Sequence, residues 1–237
     1  MKQVITGMGW VNSAGLGRGR RVVYRPGIPG APVTFSSKQV FPNPMPRFGR
    51  MDRYSRLGLA GIALALQDAG LASWKELRNI AVITSTVYGC LETDADYYDT
   101  VIPEGGKLAS PNLFAYTLSN TFLGEAALQF GLSGPSYVLH EEILSGLTGL
   151  HMAMEILAAG LFPAVLVGMC DTGPLPSLGL KDRSLTGALF FVLQKEGEPE
   201  GEVYGSLTKE ISGPICYEGN ETEDLPRLAE QCSKRFV

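Results

Sequence analysis

The sequence predicts an α/β fold built on a mixed, mainly parallel sheet flanked by helices. Continuous apolar runs of strand length recur at residues 79–86, 164–170 and 187–194, and such runs read as strands covered on both faces. Between and around them lie segments of helical spacing at 54–69, 117–130 and 144–159. Glycine, 29 of the 237 residues, punctuates these segments as tight strand-to-helix turns require.

Taken in order, residues 4–8 form a first strand that runs into glycines. From 11 to 49 the chain is rich in Gly, Pro, Arg and Ser without helical periodicity, which predicts a long irregular excursion with an extended piece near 32–40. Residues 54–69 place Leu57, Ala60, Ala63 and Leu64 at helical spacing, with Asp52 or Ser55 as cap and Gly70 as the terminating residue. A strand over 79–86, a short helix over 91–101 and a longer helix over 117–130 closed by Gly131 follow. Residues 135–140 read as a strand that feeds a turn and then a helix over 144–159 ended by Gly160. Leu144, Leu147, Leu150, Met152, Met154, Ile156 and Leu157 lie nearly all round that helix, so it is expected to be covered on most sides. Beyond the strands at 164–170 and 187–194, the GEPEG stretch at 197–201 reads as a turn, residues 203–211 alternate as a half-exposed strand, and 222–234 form a short helix. The organisation expected is one domain over 1–212 followed by a C-terminal tail or helix over 213–237.

Composition narrows the function classes. With 45% hydrophobic and 19% charged residues the chain has the make-up of a globular protein, and disorder is excluded. Twenty basic against 24 acidic residues, a net charge of -4 and no long run of either sign disfavour nucleic acid or an anionic membrane as partner. No apolar run approaches the roughly 20 residues of a membrane helix. Cys90, Cys170, Cys216 and Cys232 show no CxxC spacing, and only His140 and His151 accompany them, so neither a metal site nor a cofactor is expected. The start MKQVITGMGW lacks the basic and apolar regions of a secretion signal, and the reading is a cytoplasmic protein.

The richest site for chemistry is the strand-turn-helix junction at 138–146, where a side chain projects near the free N–H groups of a helix N-terminus. Its residues include Glu141, Glu142 and Ile143, and Ser145 lacks GxSxG surroundings. A Ser145–His140–Glu141 triad is unfavourable, because residues this close in sequence on a strand and a helix seldom converge. Glu141 and Glu142 read first as partners of the helix N–H groups, and alternatively as a buried acid of raised pKa serving as general acid or base. Cys90 and Cys170 read as packing thiols. Arg47, Arg50, Arg53 and Arg56 read as a solvated helix start with structural ion pairs, with a phosphate or an acidic carrier protein as the alternative.

Several segments together resemble the β-ketoacyl-acyl-carrier-protein synthases, condensing enzymes of the thiolase fold. These are VITGMG at the start, RFGRMDRYSRLGLAGIALALQDAGL at 47–71, NIAVITSTVYGCLET at 79–93, SPNLFAYTLSNTFLGEAALQFGLSGPSYVL at 110–139 and AVLVGMCDTG at 164–173. The resemblance is to the first of the family's two similar halves, and it implies a thiolase-like fold. It places the nucleophilic cysteine seven residues after the GPS tripeptide, at Ile143. Isoleucine offers no lone pair for attack on a thioester. The two histidines and the lysine that assist decarboxylation belong to the second half of such enzymes, so catalysis by this chain alone is not expected.

The resemblance therefore implies a non-catalytic subunit similar to the chain-length factors of heteromeric condensing enzymes. Such a subunit pairs with an active β-ketoacyl-ACP synthase and shapes its acyl tunnel in type II fatty-acid, polyketide or polyene assembly on acyl carrier protein. By the same resemblance Leu113, Phe114 and Tyr116 become tunnel-wall or partner-interface candidates, and Thr93 falls near a gating position. Two alternatives stay open. One is a homodimeric half-thiolase acyl-binding or scaffold protein. The other is a thioester hydrolase or decarboxylase using Glu141 or Glu142. The all-round apolar helix, left without a second half, is expected to need a partner or a second copy to cover it.

Overall fold

The computed structural model describes residues 2–28, 33–43, 45–103, 105–180, 186–197, 199, 201–210 and 213–236. Strands β1 (Gln3–Asn12) and β2 (Gly15–Arg18) form a hairpin. A single helical turn, α1 (Ser37–Val40), and a 3-10 turn over Pro46–Arg50 lead into α2 (Arg53–Asp68). Then come β3 (Ile80–Thr86), α3 (Leu91–Val101), α4 (Pro111–Phe114), α5 (Thr121–Phe130), β4 (Ser136–His140) and α6 (Leu147–Ala158). The chain continues with β5 (Ala164–Asp171), β6 (Gly187–Lys195), β7 (Gly205–Lys209), β8 (Ile215–Tyr217), β9 (Asn220–Glu221) and α7 (Leu225–Ser233).

The described strands join in one sheet of order β4-β3-β5-β6-β1-β7-β8-β9, with β2 on the free part of β1. β3 pairs in parallel with β4 and β5, whereas β6 is antiparallel to both β5 and β1. Four of the five central strands therefore point the same way, as expected of the α/β class. Hydrogen-bonded parallel neighbours are nonetheless confined to β4-β3-β5, because β6 is inserted against the common direction and β7, β8 and β9 follow as antiparallel neighbours.

Period-two alternation sends opposite sets of side chains to two cores. Leu166 and Val82 join α2 and α5 on one face, while Val165, Val167, Ala81 and Ile83 join α6 and α7 on the other. Both faces are covered, which is why β3 and β5 read as unbroken apolar runs.

The early chain departs from expectation. β1 does not stop at Met8 but runs to Asn12, and its glycines are not turns. A Cβ on Gly9 would lie 2.2 Å from the Ala65 nitrogen, so these positions let α2 press directly on the strand. The piece expected to be extended near 32–40 turns helical at Ser37, where the Gln39 side chain accepts the Ser36 N–H at 2.8 Å; residue 32 lies outside the described residues. α2 keeps its expected start, with the Asp52 carboxylate accepting the Ser55 N–H at 3.0 Å. α5 begins at Thr121 instead of 117, since residues 118–121 close a separate turn in which Leu118 C=O accepts the Thr121 N–H at 3.0 Å. Of the strand expected over 203–211, residues 205–209 are strand and residue 211 lies outside the described residues, as do 198 and 200 of the GEPEG turn.

The largest correction concerns α6. It starts at Leu147, not 144, and it does not present a bare apolar stripe. Leu150, Ala153, Met154 and Leu157 are buried on the sheet, Leu147, Met152 and Ile156 pack against the same core, and the outward positions are Thr148, His151 and Glu155. Lys209 contacts His151 and lies 3.4 Å from Glu155, giving this outer face a polar cluster. Beside it α7 buries Leu225, Leu228, Ala229 and Cys232 completely. The cover that was expected from a partner is supplied in part by the chain's own C-terminal segment.

Candidate functional site

The junction between β4 and α6 is an elbow, and Glu141 organises it. The Glu141 N–H extends the β3–β4 ladder by donating to Thr86 C=O at 2.8 Å. Its carboxylate then folds back beneath the turn. Oε1 accepts the Ser85 hydroxyl at 2.8 Å, and Oε2 accepts the Ser145 N–H at 2.9 Å, the Gly146 N–H at 3.0 Å and the Ser145 hydroxyl at 3.2 Å. Burial alone would raise the carboxyl pKa; the N–H groups of Gly146 and Ser145 and the two serine hydroxyls outweigh it and hold the group below its ordinary value. A general acid of raised pKa at Glu141 is thus overturned: the carboxylate is ionised and fully engaged. Glu142 is exposed beside it.

Gly146 ends the elbow at φ +73°, a left-handed value that favours glycine and cannot be continued into the right-handed helix. This is why α6 begins one residue later. Leu225 packs on it so closely that a Cβ there would be 2.4 Å from the leucine Cδ1, and the Leu225 N–H donates to Ser145 C=O at 2.9 Å. Ile143 stands at the tip, 70% exposed. It offers no nucleophile, and two N–H groups at the base of the turn are already taken by Glu141. The expected failure of the triad is observed: Ser145 Oγ donates to Glu141 and accepts the Leu147 N–H at 3.2 Å, with no imidazole interposed.

The remaining candidates disperse. Thr93 is buried, and its hydroxyl donates to Asp52 at 2.7 Å, so it ties α3 to the cap of α2. Tyr116 is buried in the core on the α2 side, Leu113 is half-buried and Phe114 is 61% exposed, its ring 5.5 Å from that of Tyr97. Of the three, Phe114 is the most open to a partner. Burial, its largest influence, pushes the Cys90 thiol up to about 11, and Cys170, wholly buried, is raised as well, which removes both as thiolates. Arg47 pairs with Glu125 at 2.9 Å and Arg53 with Glu92 at 3.5 Å, while Arg56 donates to Asp52 C=O at 3.4 Å, so the arginine run is largely structural.

Two residues that sequence reasoning passed over complete the site. Ser85 supplies the hydroxyl under Glu141 and looked like an ordinary polar end to an apolar strand. Asp171, wholly buried at the end of β5, accepts the Thr86 hydroxyl and the N–H groups of Val87, Tyr88 and Gly173 at 2.7–3.0 Å, fixing the chain beyond β3. An acid closing an apolar strand was the available signal.

Among the described residues β4 is the outermost strand and pairs only with β3. Tyr137 on it is 39% exposed, and Leu118, near the same end of the sheet, is 66% exposed. Ser119 and His140 both flank Gly89, which places the segment before α5 alongside the end of β4. Leu118, Tyr137 and Ile143 therefore give this edge an apolar character.

Against known proteins, residues 33–183, more than half of the chain, match the β-ketoacyl synthase N-terminal domain. The chain belongs to that family. A putative polyketide β-ketoacyl synthase 1 of Streptomyces virginiae is 30% identical over 138 residues, covering 54% of this chain and 32% of that protein. A 3-oxoacyl-[acyl-carrier-protein] synthase 2 of Vibrio cholerae is 27% identical over 128 residues, covering 54% and 31%. The matched region thus spans about a third of the length of these curated relatives. Among solved structures, the ishigamide ketosynthase/chain length factor superposes with a TM-score of 0.70 at 18% identity over 87% of this chain and 62% of that one. A ketosynthase in complex with its chain length factor from Xenorhabdus doucetiae gives 0.63 at 16% identity, covering 100% of this chain and 92% of the matched chain. These likenesses establish the thiolase-like α/β fold of this β-ketoacyl synthase homologue. Among its described residues no helix is long and apolar enough to cross a membrane.

Proposed function

We propose that this chain is a non-catalytic, chain-length-factor-like subunit that pairs with an active β-ketoacyl-ACP synthase and shapes its acyl tunnel, in assembly of fatty-acid, polyketide or polyene chains on an acyl carrier protein. The observation that carries the reading is the elbow: the position that the family resemblance assigns to the nucleophile holds an exposed Ile143, and the turn behind it is occupied by the ionised Glu141 carboxylate. A hydrolase or decarboxylase built on Glu141 loses its support for the same reason. The fold likeness to a chain from a ketosynthase–chain length factor complex supports this reading.

The apolar edge at β4 is the surface through which pairing would occur. An edge strand with open backbone groups, bearing Tyr137 and flanked by Leu118, is a template for another strand and a hydrophobic contact at once. In this reading Leu113 and Phe114 reach the partner's acyl pocket, with Tyr116 buttressing them from the chain's own core. The same free edge favours the second reading, a homodimer, because two copies of β4 would meet antiparallel about a two-fold axis.

The deciding experiment is purification of the tagged protein from its own cells, followed by light scattering and mass analysis of the complex. Recovery with a full-length ketosynthase that bears its cysteine and histidines supports the first reading. A clean homodimer moves the assignment to the half-thiolase scaffold. A monomer at micromolar concentration with no ketosynthase bound overturns both.

A further inference from the structure

The segment 18–25 carries Arg18, Arg20, Arg21 and Arg25 and no acid, within a chain of net charge -4. Arg20 turns inward, donating to Thr6 C=O at 3.0 Å and to Asp68 C=O at 2.6 Å, and it stacks on Tyr204. Arg21 and Arg25 do the opposite. They are exposed, have no ion-pair partner among the described residues, and line a groove of about 420 Å³ between the β1–β2 hairpin and residues 21–25. The buried Trp10 and the half-buried Leu16 lie at its base, and Val22 and Val23, each 47% exposed, stand along it. Among the described residues no acidic side chain lines it.

The groove is held in shape from behind. The Tyr24 N–H donates to the Ser233 hydroxyl at 3.0 Å, Arg25 C=O accepts the Asn12 amide at 2.9 Å, and the Trp10 and Tyr24 rings meet edge-on at 5.4 Å. Two exposed valines beside two guanidiniums that have no ion-pair partner among the described residues, on a preformed wall, complement an apolar stripe flanked by carboxylates. A small free anion would leave the valines unused, and two arginines on an acidic protein are too few to hold a nucleic acid against its charge.

We propose that this groove docks an acidic amphipathic helix of a partner protein. It lies on β1 and β2, separated from β4 by β6, β5 and β3, so a helix bound here leaves the β4 edge free. The inference goes beyond the function proposed above and stands whether or not that reading survives.

The groove contains its own reporter, since the chain has two tryptophans and Trp74→Phe leaves Trp10 alone. The probes are a synthetic amphipathic helix with glutamates beside a leucine stripe and its counterpart with lysines in their place. The glutamate helix is expected to shift Trp10 emission saturably and to bind about tenfold more weakly to Arg21→Glu/Arg25→Glu and at raised salt. Calorimetry on the unsubstituted protein gives the same comparison without Trp74→Phe. Leu118→Glu/Tyr137→Glu is expected to bind as the parent does, which separates this surface from the β4 edge. Absence of binding, equal binding of the lysine helix, equal binding to the charge-reversed variant, or an equal Trp10 response to inorganic pyrophosphate overturns the proposal.

Discussion

The Glu141 carboxylate accepts the Gly146 N–H at 3.0 Å across the same turn that leaves Ile143 70% exposed. A backbone turn with free N–H groups would welcome an external anion. Here two of those donors, the Ser145 and Gly146 N–H groups, are neutralised internally by Glu141, four and five positions earlier in the chain. The elbow is thus a structural joint between β4 and α6, braced on one side by Ser85 and on the other by Leu225.

Replacing Glu141 by Ala leaves the Ser145 and Gly146 N–H groups without their partner. We expect a loss of about 1–2 kcal/mol in urea unfolding, toward the lower range for charge-assisted hydrogen bonds because the turn is partly open to water. The folded-state pKa is depressed, so this contribution is present above the unfolded value, about 4.3, and disappears as pH falls through the lower folded value. The difference between parent and variant, measured from pH 7 downward, is expected to shrink in that acid window; a constant difference would show the carboxylate is not the source.

Ile143→Cys restores a thiol at the tip but not the electrostatics of a nucleophile. With the turn's N–H groups already engaged, the thiol is expected to keep an ordinary pKa near 8.5. The variant should show no turnover of malonyl carrier protein alone, and the pH dependence of iodoacetamide labelling should be that of a free cysteine. Condensation activity, or labelling that persists well below neutral pH, would contradict the elbow described here.

Leu225 is wholly buried where α7 meets the elbow. Leu225→Ala is expected to destabilise the protein by about 2–5 kcal/mol, as for other large-to-small core changes. Gly146→Ala combines a left-handed backbone with a collision against the same leucine, so it is expected to destabilise as well. In Leu225→Ala the added methyl meets space instead of a side chain, so the double variant should be less destabilised than the two single effects summed, a coupling readable by a double-mutant cycle.

Leu118→Glu with Tyr137→Glu places charge on the apolar edge at two exposed positions outside the core clusters. Stability is expected to change by no more than about 0.5 kcal/mol per site, as for exposed positions, while co-purification of the partner or the second copy is lost. Retained assembly at unchanged stability would move the interface elsewhere.

Much of the fold was readable because its signals are local. Strands β3, β5 and β6 are buried on both faces and so appear as unbroken apolar runs, and α2 announces itself through Asp52 and its period. The β1–β2 hairpin was not readable, since Gly7 and Gly9 resemble turn residues until α2 is laid across them. Of the site, the interest of Ile143 came from the family resemblance, and the reading of Glu141 as a backbone partner from the junction's chemistry. Ser85 did not, being 56 residues away and joined to Glu141 only by the β3–β4 pairing.

By itself the sequence determined the α/β class, the family and the absence of a nucleophile at residue 143, because apolar periodicity and residue identity are properties of the linear chain. Tertiary structure alone decided which direction Glu141 titrates, that Thr93 and Tyr116 point inward, and that α6 is covered on the sheet side while residues 225–233 seal the face beside it. Those outcomes depend on which groups are brought within hydrogen-bond or packing distance across the sheet. Distances between residues far apart in sequence exist only once the strands have paired.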